Sequence, residues 1–176
     1  SHSKDIPRLK CPWKEWEANG LLTVVDDVEI HPDIIAEYIQ ELGRRYDIRK
    51  LAIDTYRYAL LKRALEGIGF TAKEKKIKLI TQRDIIQVVP VIDSCFVNHN
   101  FVWGDNPVLR WGCNNTKLIS YGRKEGADKG SFVYAKIESK SRKTDPWMSL
   151  VMSMCVESEL DSAVKAPLYS LPVITI

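Results

Sequence analysis

The sequence predicts one α/β domain, a sheet flanked by helices. Three observations carry that expectation. Leu51-Ala52-Ile53 is a short apolar run that ends in Asp54 and gives way at once to a helical pattern, the form of a buried strand delivering an acid to a sheet edge. Helical patterns lie on both sides of that run, which is the grammar of a βαβ unit. The length of 176 residues, with 45% hydrophobic and 28% charged residues, suits a single soluble domain, 1–176, with a core of its own.

Residues 1–12 form an irregular lead-in, because Pro7 and Pro12 break regular structure. Trp13 to Ala18 makes a short helix stopped by Asn19-Gly20, with Trp13 and Trp16 on one face. Leu21–Val25 and Val28–Ile30 read as two short strand-like pieces around the turn Asp26-Asp27. His31-Pro32 opens a helix in which Ile34, Ile35, Tyr38, Ile39 and Leu42 recur at helical spacing, predicting one buried face. Past the strand at Leu51, a helix over about Tyr56–Ile68 buries Leu61, Ala64, Leu65 and Ile68 and stops at Gly67 or Gly69. From Thr71 to Arg83 five basic residues stand against one acid, the composition of a solvated face as much as of a binding patch.

Pro90 then opens a helix through Val91, Ile92, Cys95 and Phe96, and a short strand Phe101-Val102-Trp103 follows. Gly104-Asp105-Asn106-Pro107 signals a turn and a helix start, with Asp105 or Asn106 as the cap and Val108, Trp111 and Asn115 on the helix. Leu118–Tyr121 and Phe132–Lys136 pair around the charged, glycine-rich loop 122–130. Asp145-Pro146 starts a last helix with Leu150, Val151 and Met154 inward, and the tail from Asp161 is extended or packed against a neighbour.

The totals exclude several classes. A net charge of +3 is too small to argue for nucleic acid by itself, so the distribution has to be read instead. Residues 114–143 hold eight Lys or Arg against three Asp or Glu, an excess of five that exceeds the charge of the whole chain. No apolar run approaches the roughly 18 residues of a membrane helix, so no membrane partner is expected, and the amino end is no signal peptide. Cys11, Cys95, Cys113 and Cys155 form no Cys-x-x-Cys pair, and His2, His31 and His99 complete no zinc pattern; reduced thiols in a cytoplasmic setting are expected. No phosphate-cradling glycine motif is present, so any nucleotide-driven motor lies outside these residues.

Asp54 has a distant counterpart at Lys143-Thr144-Asp145-Pro146, where a basic segment meets a helix start. In open α/β sheets ligands bind at the carboxyl edge of the strands. Two acids brought there among lysines and arginines suggest a divalent-metal site acting on a phosphodiester. Spacing alone favours a plain helix N-cap for any single aspartate at a strand end.

Four segments, in order, resemble the nuclease domain of bacteriophage terminase large subunits, which cut concatemeric DNA during genome packaging. They are Pro12-Trp13-Lys14-Glu15-Trp16 with Gly20-Leu21-Leu22-Thr23; Leu51-Ala52-Ile53-Asp54; Gly104-Asp105-Asn106-Pro107-Val108-Leu109-Arg110-Trp111 with Asn115 four residues on; and Lys143-Thr144-Asp145-Pro146 with its apolar helix. The resemblance covers about residues 12–157, leaving 158–176 as a tail. It implies a ribonuclease H-like mixed sheet and a two-metal endonuclease tolerant of sequence, with Asp54 and Asp145 holding two Mg²⁺ or Mn²⁺ ions. It also implies double-stranded DNA, the terminase ATPase domain, the small subunit and the portal as partners, in the cytoplasm of the host bacterium.

The chain departs from that family at two places. The family takes another acidic ligand from the first strand of its sheet, and no strand with an acid precedes Cys11, so that strand is expected to lie outside these residues. His31 stands where relatives carry Asp, a change of helix cap. Lys143 is expected either to touch the scissile phosphate or to neutralise its surroundings. Lys136, Lys140 and Arg142, with Arg123 and Lys124 of the loop, suit the DNA backbone, where contacts carry no base information. The loop 122–130 either closes over the duplex or is an ordinary hairpin. Trp103, Trp111 and Trp147 are read as core or wall rather than stacking platforms.

Overall fold

Leu51–Asp54 forms strand β1 and pairs in parallel with β2, Ile77–Ile80, in a register that sets Leu51 beside Ile77 and Asp54 beside Ile80. Helix α3 (Thr55–Gly67) crosses between them. The computed structural model describes residues 9–102, 104–121, 131–138 and 141–160. Ahead of β1 lie α1 (Trp13–Ala18) and α2 (Pro32–Gly43); after β2 come α4 (Gln82–Val97), α5 (Pro107–Asn114), an antiparallel pair β3 (Thr116–Ser120) and β4 (Phe132–Lys136), and α6 (Asp145–Glu157). The expected βαβ unit and the late hairpin are both present.

The helix ends follow local chemistry. His31 caps α2 by accepting the Asp33 N–H on Nδ1 at 3.4 Å, Asp54 caps α3, and Asn106 Oδ1 accepts from both Val108 N and Leu109 N at the start of α5. Gly20 and Gly69, just past α1 and α3, take φ of +69° and +83°, the left-handed turn that a residue without Cβ enters at low cost.

Four expectations are corrected. The basic run 71–83 is not all surface: it contains β2, whose Ile77 and Ile80 are buried. Helix α4 begins eight residues before Pro90, because Thr81 and Asp84 form a reciprocal capping box that nucleates it upstream and leaves the proline inside. Phe101 and Val102 are not strand, and Leu21–Ile30 holds a single bridge residue at Val25, since among the described residues no strand pairs along the length of either piece. On α2 the apolar face is only partly covered: Ala36 is buried, whereas Ile34 is 39% and Tyr38 60% exposed, because α3 covers only one side of the stripe.

The core lies between α4, α6 and β4. Val88, Ile92, Trp147 and Val151 form its buried centre, with Phe101, Tyr134 and Met154 packed around it. Trp147 meets Tyr134 edge-on at 5.5 Å and Phe96 at 5.9 Å, so it is core as expected. Helices α5 and α6 approach closely at Gly112, where a Cβ would stand 3.0 Å from Trp147 N and 3.1 Å from Pro146 Cβ.

Candidate functional site

Asp54 is exposed at the carboxyl end of β1, the edge at which the sequence places it. One of its oxygens, Oδ1, accepts the Tyr56 N–H at 2.7 Å, so the helix-cap role is real. The cap engages one carboxylate oxygen.

Asp145 opens α6 and is also exposed. Among the described residues its carboxylate makes no hydrogen bond or ion pair, and neither does the ammonium of Lys143, a half-buried residue. The segment carrying both is held from beneath by Asn115, which is fully buried at the end of α5. Asn115 Nδ2 donates to the Lys143 carbonyl at 2.9 Å, and its Oδ1 accepts from Arg142 Nη1 at 3.1 Å. Its own carbonyl accepts the Ile137 N–H at 2.9 Å, just past β4. One residue, through its side chain and its backbone carbonyl, therefore ties the end of α5 to the Lys143 segment and to the end of β4.

Lys50, one residue ahead of β1, and Lys78 of β2 both bind Glu159, two residues beyond the end of α6. The far end of α6 is thus held where β1 begins, and the helix packs along β1 and β2 from there. Asp145 lines a cavity of about 370 Å³ with Lys143, Trp111 and Ile30, and Ile30 also lines another of about 540 Å³ with Arg57 and Leu61 of α3.

The donor set fits a hard divalent cation in kind, since both acids keep oxygens open to solvent. In number it is short of a two-ion cluster. Among the described residues no three His, Cys, Asp or Glu side chains converge on a common point. The cysteines add no ligand: burial pushes the thiols of Cys11, Cys113 and Cys155 up, away from the thiolate a metal needs, and none of the four is in a disulfide.

Of the expected backbone contacts, Lys136 is exposed at the end of β4, and Arg142 divides its guanidinium between Asn115 and Glu138, the latter at 3.7 Å. Arg142 is accordingly a strut of the Lys143 segment. Lys140, Arg123 and Lys124, like the loop 122–130, Trp103 and the tail 161–176, lie outside the described residues. Sequence reasoning placed Asn115 on a helix and missed its role. A polar residue directly after a helix stop and before a strand was the available signal.

No family model matches the chain, and no curated protein matches it by sequence. Comparison with solved structures decides the fold. The chain shares its fold with the HK97 bacteriophage large terminase. The TM-score is 0.71 at 19% identity, over 89% of this chain and 32% of the terminase, so the chain spans about a third of that protein's length. The expected ribonuclease H-like mixed α/β class holds. At this identity the likeness establishes architecture and leaves the chemistry to the residues. No described helix is long and apolar enough to cross a membrane.

Proposed function

We propose that residues 12–157 are the catalytic body of a terminase-type nuclease that cuts double-stranded DNA by metal-assisted phosphodiester hydrolysis. One observation carries the reading: β1 ends in an exposed aspartate and α6 opens on a second, Asp145, unpaired among the described residues, on a fold shared with a phage large terminase. Asp54 and Asp145 would hold Mg²⁺ or Mn²⁺ through their open oxygens, with a further ligand supplied from outside the described residues. The ions' chemistry there is to stabilise negative charge on the attacked phosphate and its leaving oxygen.

The chain's own residues then have defined tasks. Asn115 and Arg142 fix the backbone that carries Lys143 and Asp145. The ammonium of Lys143, a half-buried residue, is unpaired among the described residues and attracts a phosphate oxygen beside the acids. Lys136, with Lys140, Arg123 and Lys124, adds backbone contacts without base readout. The ATPase motor, small subunit and portal belong to the same proposal as partners, and the host cytoplasm as its place of work.

Plasmid cleavage in Mn²⁺ tests the reading. Asp54→Asn keeps the cap and Asp145→Asn keeps size, so both should fold and both should lose cutting. Undiminished cutting in both would end the assignment.

A second reading, a DNA-docking module without catalysis, is favoured by the Asp54 cap, which explains that residue without chemistry. Retention of intact plasmid in Mn²⁺ together with salt-sensitive DNA binding would select it.

A further inference from the structure

Asp54 ends one edge of the β1–β2 pair; the opposite edge has a character of its own. Residues 44–49 lead into β1 and residues 69–76 lead into β2, and because the strands are parallel both segments lie at the same edge. Together they hold six Lys or Arg (Arg44, Arg45, Arg49, Lys73, Lys75 and Lys76) against Asp47 and Glu74, an excess of four in a chain whose net charge is +3. Arg49 pairs with Asp47 at 2.7 Å and Lys76 with Glu74 at 3.3 Å, which leaves Arg44, Arg45, Lys73 and Lys75 without an ion pair among the described residues; Lys50 and Lys78, outside that count, pair with Glu159, and Lys78 also with Asp84.

Arg44 and Arg45 line a groove of about 800 Å³ at this edge, with Asp47 also in its wall. Ile39, Ile48, Ile68 and Phe70 supply its apolar lining. The aromatic rings carry cations: the Arg45 guanidinium lies 5.4 Å from the Tyr46 ring centre, and Lys76 Nζ lies 5.9 Å from that of Phe70. Arg44 makes no ion pair among the described residues. The carboxyl ends of α2 and α3 also lie at this edge and favour cations within their last turn. Arg49, Lys73 and Lys75 are beyond either last turn, so the helix ends do not account for them.

We propose that this edge docks an acidic protein segment that carries an apolar anchor. Carboxylates meet the four cations without an ion pair, Arg44, Arg45, Lys73 and Lys75, and an apolar side chain packs against Ile39, Ile48, Ile68 and Phe70. Duplex DNA satisfies only half of that description, since its outer surface is a convex run of phosphates with nothing to bury against an apolar lining. The proposal stands apart from the nuclease reading, because the groove is at the far end of the strands from Asp54.

Fluorescence anisotropy with a labelled peptide of about 12 residues, repeating Glu-Asp-Leu-Glu, tests it at about 50 and 300 mM NaCl, a range over which screening of exposed charges grows severalfold. The intact chain should bind it, weaken with salt, and bind a Leu→Ser peptide at least about tenfold less well, a loss of ~1.4 kcal/mol or more. The double variant Arg44→Glu/Arg45→Glu, whose fold is checked by circular dichroism, should lose at least about tenfold, and Lys143→Ala nothing. If charge reversal disturbs the fold, Arg44→Ser/Arg45→Ser replaces it, and the Leu→Ser peptide tests the groove on the unaltered chain. The proposal is overturned if the Leu→Ser peptide binds as well as the parent, if neither arginine pair matters, or if duplex DNA displaces the peptide through the same residues.

Discussion

Replacing Asn115 with alanine should loosen the candidate site more than any surface change. The side chain has 0% exposure, donates to the Lys143 carbonyl and accepts from Arg142. Truncation leaves a buried carbonyl without its donor, at about 1–3 kcal/mol, and a guanidinium without one acceptor. The small void left by the missing amide adds to this, giving about 3 kcal/mol in total. For a domain of this size each kcal/mol is ~2–4 °C in Tm, so thermal unfolding followed by circular dichroism should fall by roughly 6–12 °C. Asn115→Asp keeps the acceptor for Arg142 and loses the donor to Lys143, so it isolates the second contact. Plasmid cutting measured well below both melting temperatures should drop in both variants, because Lys143 and Asp145 lose their common support. A Tm within about 1–2 °C of the parent would refute the reasoning, since a buried amide with two satisfied partners cannot be removed so cheaply.

Asp54→Ala should destabilise by about 1 kcal/mol through the lost cap, whereas Asp54→Asn should be near neutral by urea titration, separating the cap from any loss of cutting. Gly112→Ala places a methyl 3.0 Å from Trp147 N, and chemical denaturation should show a loss of about 1–3 kcal/mol with Trp147 fluorescence altered. Glu159 is held below the usual carboxylate range by the Lys50 and Lys78 ammoniums, and Asp84 by its bond from Thr81 and then by Lys78. Folded values below the unfolded ones mean stability that is complete at neutral pH and lost as pH falls through the carboxylate range. Glu159→Gln should therefore flatten the acid limb of stability against pH and lower the neutral plateau; an unchanged limb would count against the ion pairs.

The local elements were legible in the sequence wherever a helix or strand announced itself within a few residues. Pro32, Asn106 and the pair Asp145-Pro146 mark helix starts that the structure keeps, and Phe132–Lys136 is a strand over the expected span. Elements defined by distant neighbours were not legible. Ile77–Ile80 sits in a basic run and is a strand only because β1 lies beside it, with Leu51 matched to Ile77 some 26 positions later. Pro90 misled for the same reason in reverse: the capping box at Thr81 and Asp84 starts α4 early enough that the proline has to be accommodated inside it.

The candidate site divides along the same line. Asp54 at a strand end and Asp145 at a helix start are local features, and both were read from sequence. What ties α6 to the sheet is not local: Glu159 reaches back 109 residues to Lys50 and 81 to Lys78, anchoring the far end of the helix where β1 begins. Glu159 lies past the last helical turn, in a stretch with no periodicity to mark it. The same carboxylate, with Asp84 on Lys78, occupies two lysines, and at the basic edge Asp47 and Glu74 occupy Arg49 and Lys76. Pairs between distant and neighbouring residues thus mark which cations at that edge, Arg44, Arg45, Lys73 and Lys75, stay open to a partner.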